Sequence, residues 1–296
     1  MSHIIEQYIS QCRALFRPCP QCDNGICNID NLCDCKCNSY SNCMDCLWKI
    51  FFESKHRMRR YQCLPITYSY VEHYTDAFAS EIYRILLPFD EIWSNIDNKN
   101  IVSIGCGPAT ELIAIEKIMR DKSIQSVCNY IGFDPNPIWN STWNILLNIF
   151  NSHNIRSLFQ NSMLYQSNPV LQDTKLLILN YVVSDVYKHA KSPRIDTVNF
   201  LQNDITSIIQ QLSADSYILI NDVNSKNMGR EEIEEWEYQI TGISNTIEMG
   251  YFENIKHPDE AKYRNISAKR RKDRNSAFYF NNSVLCQSAY SILKKI

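Results

Sequence analysis

Two groups of residues in this 296-residue chain have types and spacings that could do chemistry. The first is Gly105-Cys106-Gly107, set directly after the apolar run Ile101-Val102-Ser103-Ile104 and shortly before the helix-compatible stretch Glu111-Leu112-Ile113-Ala114-Ile115-Glu116-Lys117. A residue without Cβ takes positive φ readily and lets a ligand lie against bare backbone at a helix N-terminus. Further on, Tyr130-Ile131-Gly132-Phe133 reads as a second strand ending on Asp134, a carboxylate able to accept hydrogen bonds from both hydroxyls of a ribose. The whole chain has only seven glycines, so two of them at one turn mark it as a built feature.

The second group is cysteine-rich: Cys19, Cys22, Cys27, Cys33, Cys35, Cys37, Cys43 and Cys46, with Cys19/Cys22 and Cys43/Cys46 paired as C-x-x-C. Such pairs place two sulfurs on one tight turn, the bite that tetrahedral Zn²⁺ takes up, and four thiolates close a structural site. Eight thiols suit two ions, or one site completed by a histidine such as His56. An iron–sulfur cluster and a disulfide framework are the alternatives. The apolar content of this segment is too small to fold it by burial, so metal would supply most of its folding energy. Cys12, Cys63, Cys106, Cys128 and Cys286 stand apart and read as small buried hydrophobes.

These groups need elements to position them. Residues 66–89 carry Tyr70, Tyr74, Phe78, Ile82, Ile85 and Leu86 at three- and four-residue steps between Pro65 and Pro88, which predicts a helix. After Asp134, Pro135-Asn136-Pro137 breaks the chain before a helix over about 138–151. A third strand is expected over 155–160, with Asn161 just beyond it. The run from Lys175 to Asp185 reads as a buried parallel strand passing into polar residues. A helix over about 197–212 leads to a fifth strand ending at Asn221-Asp222. Residues 226–251 read as a charged, mostly helical insertion. Ser276–Phe280 and Asn282–Leu285 read as an antiparallel closing hairpin. In open α/β sheets chemistry sits beyond the carboxyl ends of the strands, which puts Asn180, Tyr181, Asp185 and Asp222 at the site.

The glycine loop, Asp134 and the strands that follow in order resemble the class I S-adenosylmethionine-dependent methyltransferases. Their loop follows the first strand as acidic-x-Gly-x-Gly-x-Gly; this chain keeps Gly105 and Gly107 but has Ser103 at the acidic position and Ala109 at the third glycine. The resemblance implies a doubly wound, mostly parallel seven-stranded α/β sheet, here with a small N-terminal zinc-bound module. It divides the chain into a cysteine-rich module (1–60), a helical linker that covers the cofactor (61–98) and a Rossmann-like domain (99–296). It implies S-adenosylmethionine as cofactor beside Zn²⁺, held by Gly105, Cys106, Gly107, Asp134, Asn136, Asn161 and Asn180. Asp185 and Asp222 are the candidate bases, with Tyr181 and His189 beside them. A nicotinamide-binding unit, or a doubly wound domain without ligand, has the same local pattern.

A formal net charge of −2 and an apolar fraction of 45% are those of an ordinary soluble protein and announce no global affinity for nucleic acid. Two local basic clusters, Lys55–Arg60 and Lys269–Arg274, suit phosphate contact and make RNA the expected partner; as solvated surface they need none. No run of eighteen apolar residues and no charged-then-apolar leader is seen, so a cytoplasmic protein is expected. Three functions fit: a methyltransferase acting on a macromolecule such as RNA, a non-catalytic adaptor built on the same fold, and a small-molecule methyltransferase.

Overall fold

The computed structural model describes residues 3–16, 64–150, 154–164, 168–225, 228–252, 269–270 and 288–296. The eight cysteines of the expected zinc module, the cluster Lys55–Arg60, the expected closing hairpin at 276–285 and all of Lys269–Arg274 except the backbone of its first two residues lie outside them.

Its centre is a sheet of β1 (Asn100–Ile104), β2 (Cys128–Phe133), β3 (Ile155–Gln160), β4 (Thr174–Asn180), β5 (Tyr217–Val223), β6 (Ser244–Tyr251), β7 (Lys269–Arg270) and β8 (Ser288–Lys295). The order across the sheet is β3-β2-β1-β4-β5-β8-β6-β7. The first five strands are parallel, β8 runs antiparallel between β5 and β6, and β7 is parallel to β6. The expected mostly parallel seven-strand sheet is therefore mixed at one edge, with a two-residue eighth strand added. The segment read as mostly helical over 226–251 holds a helix and then β6, a strand whose pairing with β8 is long-range.

Strands buried on both faces read as continuous apolar runs. Ile101, Leu176, Ile178, Tyr217 and Leu219 point to one face, and Val102, Ile104, Leu177, Leu179, Ile218 and Ile220 to the other. The first face is covered by α1 (His3–Leu15), α2 (Leu64–Leu86), α4 (Thr110–Asp121) and α5 (Asn140–Phe150), with the single-turn α3 (Asp90–Trp93) at its end. The second is covered by α6 (Val182–His189), α7 (Pro193–Asn199), α8 (Thr206–Gln211) and α9 (Arg230–Gln239); a π-helical segment, Phe200–Ile205, joins α7 to α8. No described helix is long and apolar enough to cross a membrane.

The first strand–loop–helix unit forms as its sequence dictates. The run Lys175–Asp185 does not stay extended: β4 ends at Asn180, Tyr181 turns left-handed (φ 60°), and Val182 opens α6. The β-branched Val182 and Val183 would extend a strand on propensity alone. A helix begins there because Asp222, from β5, accepts the otherwise orphaned N–H groups of Val183 and Ser184.

Candidate cofactor site

The loop Gly105–Ala109 turns through three left-handed residues, Gly105 (φ 61°), Gly107 (φ 48°) and Ala109 (φ 57°). Glycine takes this conformation freely at the first two, whereas Ala109 takes it against its own Cβ. Ties from distant elements hold the loop. Trp143 Nε1 donates to the Gly107 carbonyl at 2.7 Å, the Tyr8 hydroxyl to the Pro108 carbonyl at 3.0 Å, and the Cys106 N–H to the Phe133 carbonyl at 3.1 Å. Beneath it the buried Glu111 carboxylate accepts from the Ser103 hydroxyl and, at 2.8 Å, from the Tyr130 hydroxyl. Burial pushes Glu111 up, with the Ser103 bond opposing. Ser103 thus stands where an acid was expected, with a carboxylate supplied to it from the helix.

Asp134 closes the loop from β2. Its Oδ2 accepts from the Gly107 N–H at 3.0 Å and its Oδ1 from the Asn136 N–H at 2.9 Å. A carboxylate offers about four lone-pair sites, so two bonds leave capacity for further donors. Burial raises its pKa to about 6; the two N–H bonds oppose this, and the charges of Asp185 and Glu111 add to it. The Asn136 side chain caps Ile138 at 3.2 Å and opens the 3₁₀ turn that carries Trp139. Asn161 is exposed past the end of β3, beside the strand that carries Asp134. Cys106 is buried, and burial raises its thiol pKa.

Aromatic rings crowd this crevice. The Trp139 ring lies 3.8 Å from where a Cβ on Gly107 would sit and makes an edge contact with Tyr70 at 5.5 Å. Tyr74 stacks on Phe78, and Phe78 on Tyr181 at 4.0 Å. His73 packs edge-on against Tyr74. The face of Gly105 meets Val182, whose Cγ2 would lie 3.0 Å from a Cβ there.

At the carboxyl ends of β4 and β5, the residues expected to act as bases have different surroundings. Asp185 stands in the first turn of α6, its side chain half exposed, with Oδ1 3.2 Å from His189 Nδ1; its charge acts on Asp134 and on Tyr70. Asp222 is otherwise occupied. Its carboxylate accepts from Val183 and Ser184 N–H at 2.8 and 3.1 Å, which caps the start of α6, and from the N–H of its neighbour Val223 at 2.7 Å. The Tyr181 hydroxyl donates to Glu81 at 3.0 Å, and Asn180 accepts from Asn221 at 2.9 Å.

The sequence reading missed Glu81, Glu111, Asn221 and Lys188. Glu81 had a signal: at helical spacing it falls on the apolar stripe of Tyr74, Phe78 and Ile85. Lys188 is buried on α6, and burial lowers its pKa to about 8 against the pull of Asp185 and Asp222. Among the described residues no group of three or more His, Cys, Asp or Glu could hold a metal ion, and the described cysteines Cys12, Cys106 and Cys128 are buried and free.

Strand order and the antiparallel closing strand decide the architecture. The fold is an α/β sheet of five parallel strands closed by an antiparallel strand, with helices on both faces. Solved structures with a similar arrangement include a Listeria monocytogenes protein assigned to the class I S-adenosylmethionine-dependent methyltransferases, with 11% identity, 87% of this chain and 68% of that one covered, and a TM-score of 0.46. The plantazolicin methyltransferase solved in complex with SAH matches at 13% identity, 86% and 98% coverage and a TM-score of 0.44. An rRNA methylase from Streptococcus thermophilus matches at 11% identity, 72% and 96% coverage and a TM-score of 0.39. No family model and no curated protein matches the chain. At these scores the likenesses carry no argument about activity, which has to come from the crevice itself.

Proposed function

We propose that this protein is an S-adenosylmethionine-dependent methyltransferase, with RNA as the macromolecular acceptor to test first. The observation that supports it is the Asp134 carboxylate at the mouth of the glycine loop, held by the Gly107 and Asn136 N–H groups with lone pairs to spare. Asp134 takes the sugar hydroxyls, the loop takes the adenosyl chain against Gly105 and Gly107, and Tyr70, Trp139 and Phe78 exclude water. The cofactor supplies a methyl group already activated on a sulfonium, so the chain's main task is alignment of the acceptor. The carboxylates Asp134 and Asp185 suit a cationic ligand. Asp185, half exposed in the first turn of α6, is our candidate to take a proton from the acceptor.

The cysteine segment is proposed as a structural zinc module, and the two basic clusters as the RNA contacts. Calorimetry with S-adenosylmethionine and S-adenosylhomocysteine tests the cofactor; no heat with either sinks the reading. Labelled-methyl transfer into fractionated RNA, protein and metabolites then identifies the acceptor, and label confined to protein or metabolites rejects RNA. Elemental analysis of fresh protein should show at least one zinc per chain. A second reading, a non-catalytic adaptor, draws on Val182 and Trp139, which lie against the loop glycines. Methyl transfer lost on Asp134→Ala would exclude it.

A further inference from the structure

Glu81 is fully buried on α2, yet it reaches the carboxyl ends of β4 and β5. Its carboxylate accepts from the Tyr181 hydroxyl at 3.0 and 3.2 Å and from Asn221 Nδ2 at 2.9 Å. Asn221 Nδ2 also donates to Asn180 Oδ1 at 2.9 Å. The Glu81 carboxylate is the acceptor in both contacts, so the amide nitrogen of Asn221 faces it. The second hydrogen of that nitrogen then faces Asn180, which has to meet it with oxygen. Three side chains in series therefore leave Asn180 with its oxygen turned inward and its NH₂ toward the crevice.

The network holds this order at a penalty. The Oδ1 atom of the buried Asn221 has no hydrogen-bond partner among the described residues, and such orphans in native proteins call for an explanation. Asn180 itself is half-buried, and among the described residues its side chain bonds through Oδ1 to Asn221. In the sheet, β4 lies on the far side of β1 from β2. Asn180 and Asp134 thus end strands two steps apart, about 10 Å at the usual strand spacing. A ligand gripped by its sugar at Asp134 and laid across the glycine loop brings its amino-acid tail to Asn180.

We infer that Glu81 is a positioning residue that, through Asn221, turns the Asn180 amide to donate to the carboxylate at the tail of an adenosyl ligand. The inference rests on the cofactor reading above. It explains a buried acid on an apolar helix stripe. It also separates Asn180 from a residue that would accept from an amino group, because the network presents the opposite end of the amide.

The test is calorimetry with S-adenosylmethionine and its decarboxylated form, which differ only in the carboxylate. Wild-type protein should prefer the carboxylated ligand by about tenfold or more, the range of a charge-assisted hydrogen bond. Asn180→Asp, which sets an anion against the carboxylate, should reverse the preference, and Glu81→Ala should abolish it by weakening the carboxylated ligand alone. Glu81→Gln keeps an oxygen for Asn221 and should retain it. A purely structural role for Glu81 would weaken both ligands together. Should Glu81→Ala fail to fold, Asn221→Leu, which cuts the link between Glu81 and Asn180 without touching the ligand, carries the test and should lose the preference. Wild-type binding with the preference intact in Asn180→Asp, or with both ligands weakened equally, overturns the inference alone. Wild-type protein that binds neither ligand overturns the cofactor reading and this inference with it.

Discussion

Asp134 and Asp222 invite comparison, because each ends a parallel strand and each has its pKa raised to about 6, with burial as the leading cause. They differ in what their oxygens do. Asp222, 2% exposed, is filled by the Val183 and Ser184 N–H groups and the Ser184 hydroxyl at the start of α6 and by the N–H of its neighbour Val223. Asp134, 9% exposed, accepts two and faces the crevice. Strand-end position and a raised pKa therefore do not separate a ligand group from a cap; the count of internal donors does.

The largest effect should come from the saturated acid. Asp222→Ala leaves the buried Val183 and Ser184 N–H groups without a partner, at about 1 kcal/mol or more each, so a loss of about 2 kcal/mol or more is expected in urea unfolding. Asp134→Asn should instead shift stability by only about 1 kcal/mol while weakening S-adenosylhomocysteine about tenfold or more, measured by calorimetry. Equal losses of stability, with binding untouched in Asp134→Asn, would erase the distinction.

A pH series sharpens it. For both acids the folded pKa lies above the ordinary 3.8, so their contribution to stability is fully present below about 3.8 and lost as pH rises through about 6. Stability alone cannot tell them apart. Ligand binding can, because sugar hydroxyls donate more strongly to the ionised form of Asp134. Affinity for S-adenosylhomocysteine should fall as pH drops through about 6, and Asp134→Asn should flatten that dependence. A flat wild-type profile from pH 5 to 7.5 would place the sugar elsewhere.

The same contrast explains what could be read in advance. The unit from Asn100 to Asp134 is governed by local rules: apolar β-branched runs, glycines where φ turns positive, and a helix that follows at once. The end of β4 is governed by partners far along the chain. Asp222 stops the strand from 39 residues away, and Glu81 reaches Tyr181 from 100 and Asn221 from 140. Propensity carries none of that. β6 was missed for a related reason: Ser244–Tyr251 contains Asn245, Glu248 and Gly250 and becomes a strand by pairing with β8. The cysteine module and the basic clusters rest on sequence pattern and fall outside the described residues, apart from the backbone of Lys269–Arg270.

The smallest effect belongs to Ala109. A glycine was expected there, and the backbone keeps the conformation that a glycine would supply, φ 57° and ψ 47° at the residue before α4. Left-handed backbone costs an alanine about 1 kcal/mol or more. Against this, the Ala109 methyl is fully buried, worth about 0.8 kcal/mol, and alanine has less unfolded-state entropy to lose, worth about 0.4–1 kcal/mol. The terms nearly cancel, so Ala109→Gly should change unfolding free energy by less than about 1 kcal/mol and leave S-adenosylhomocysteine affinity within about twofold. The departure at Ala109 is then neutral, tolerated because the loop is tied independently by Trp143, Tyr8 and Asp134. A gain of several kcal/mol would show instead that strain is stored in the loop, and a loss of binding with it would tie that strain to the ligand.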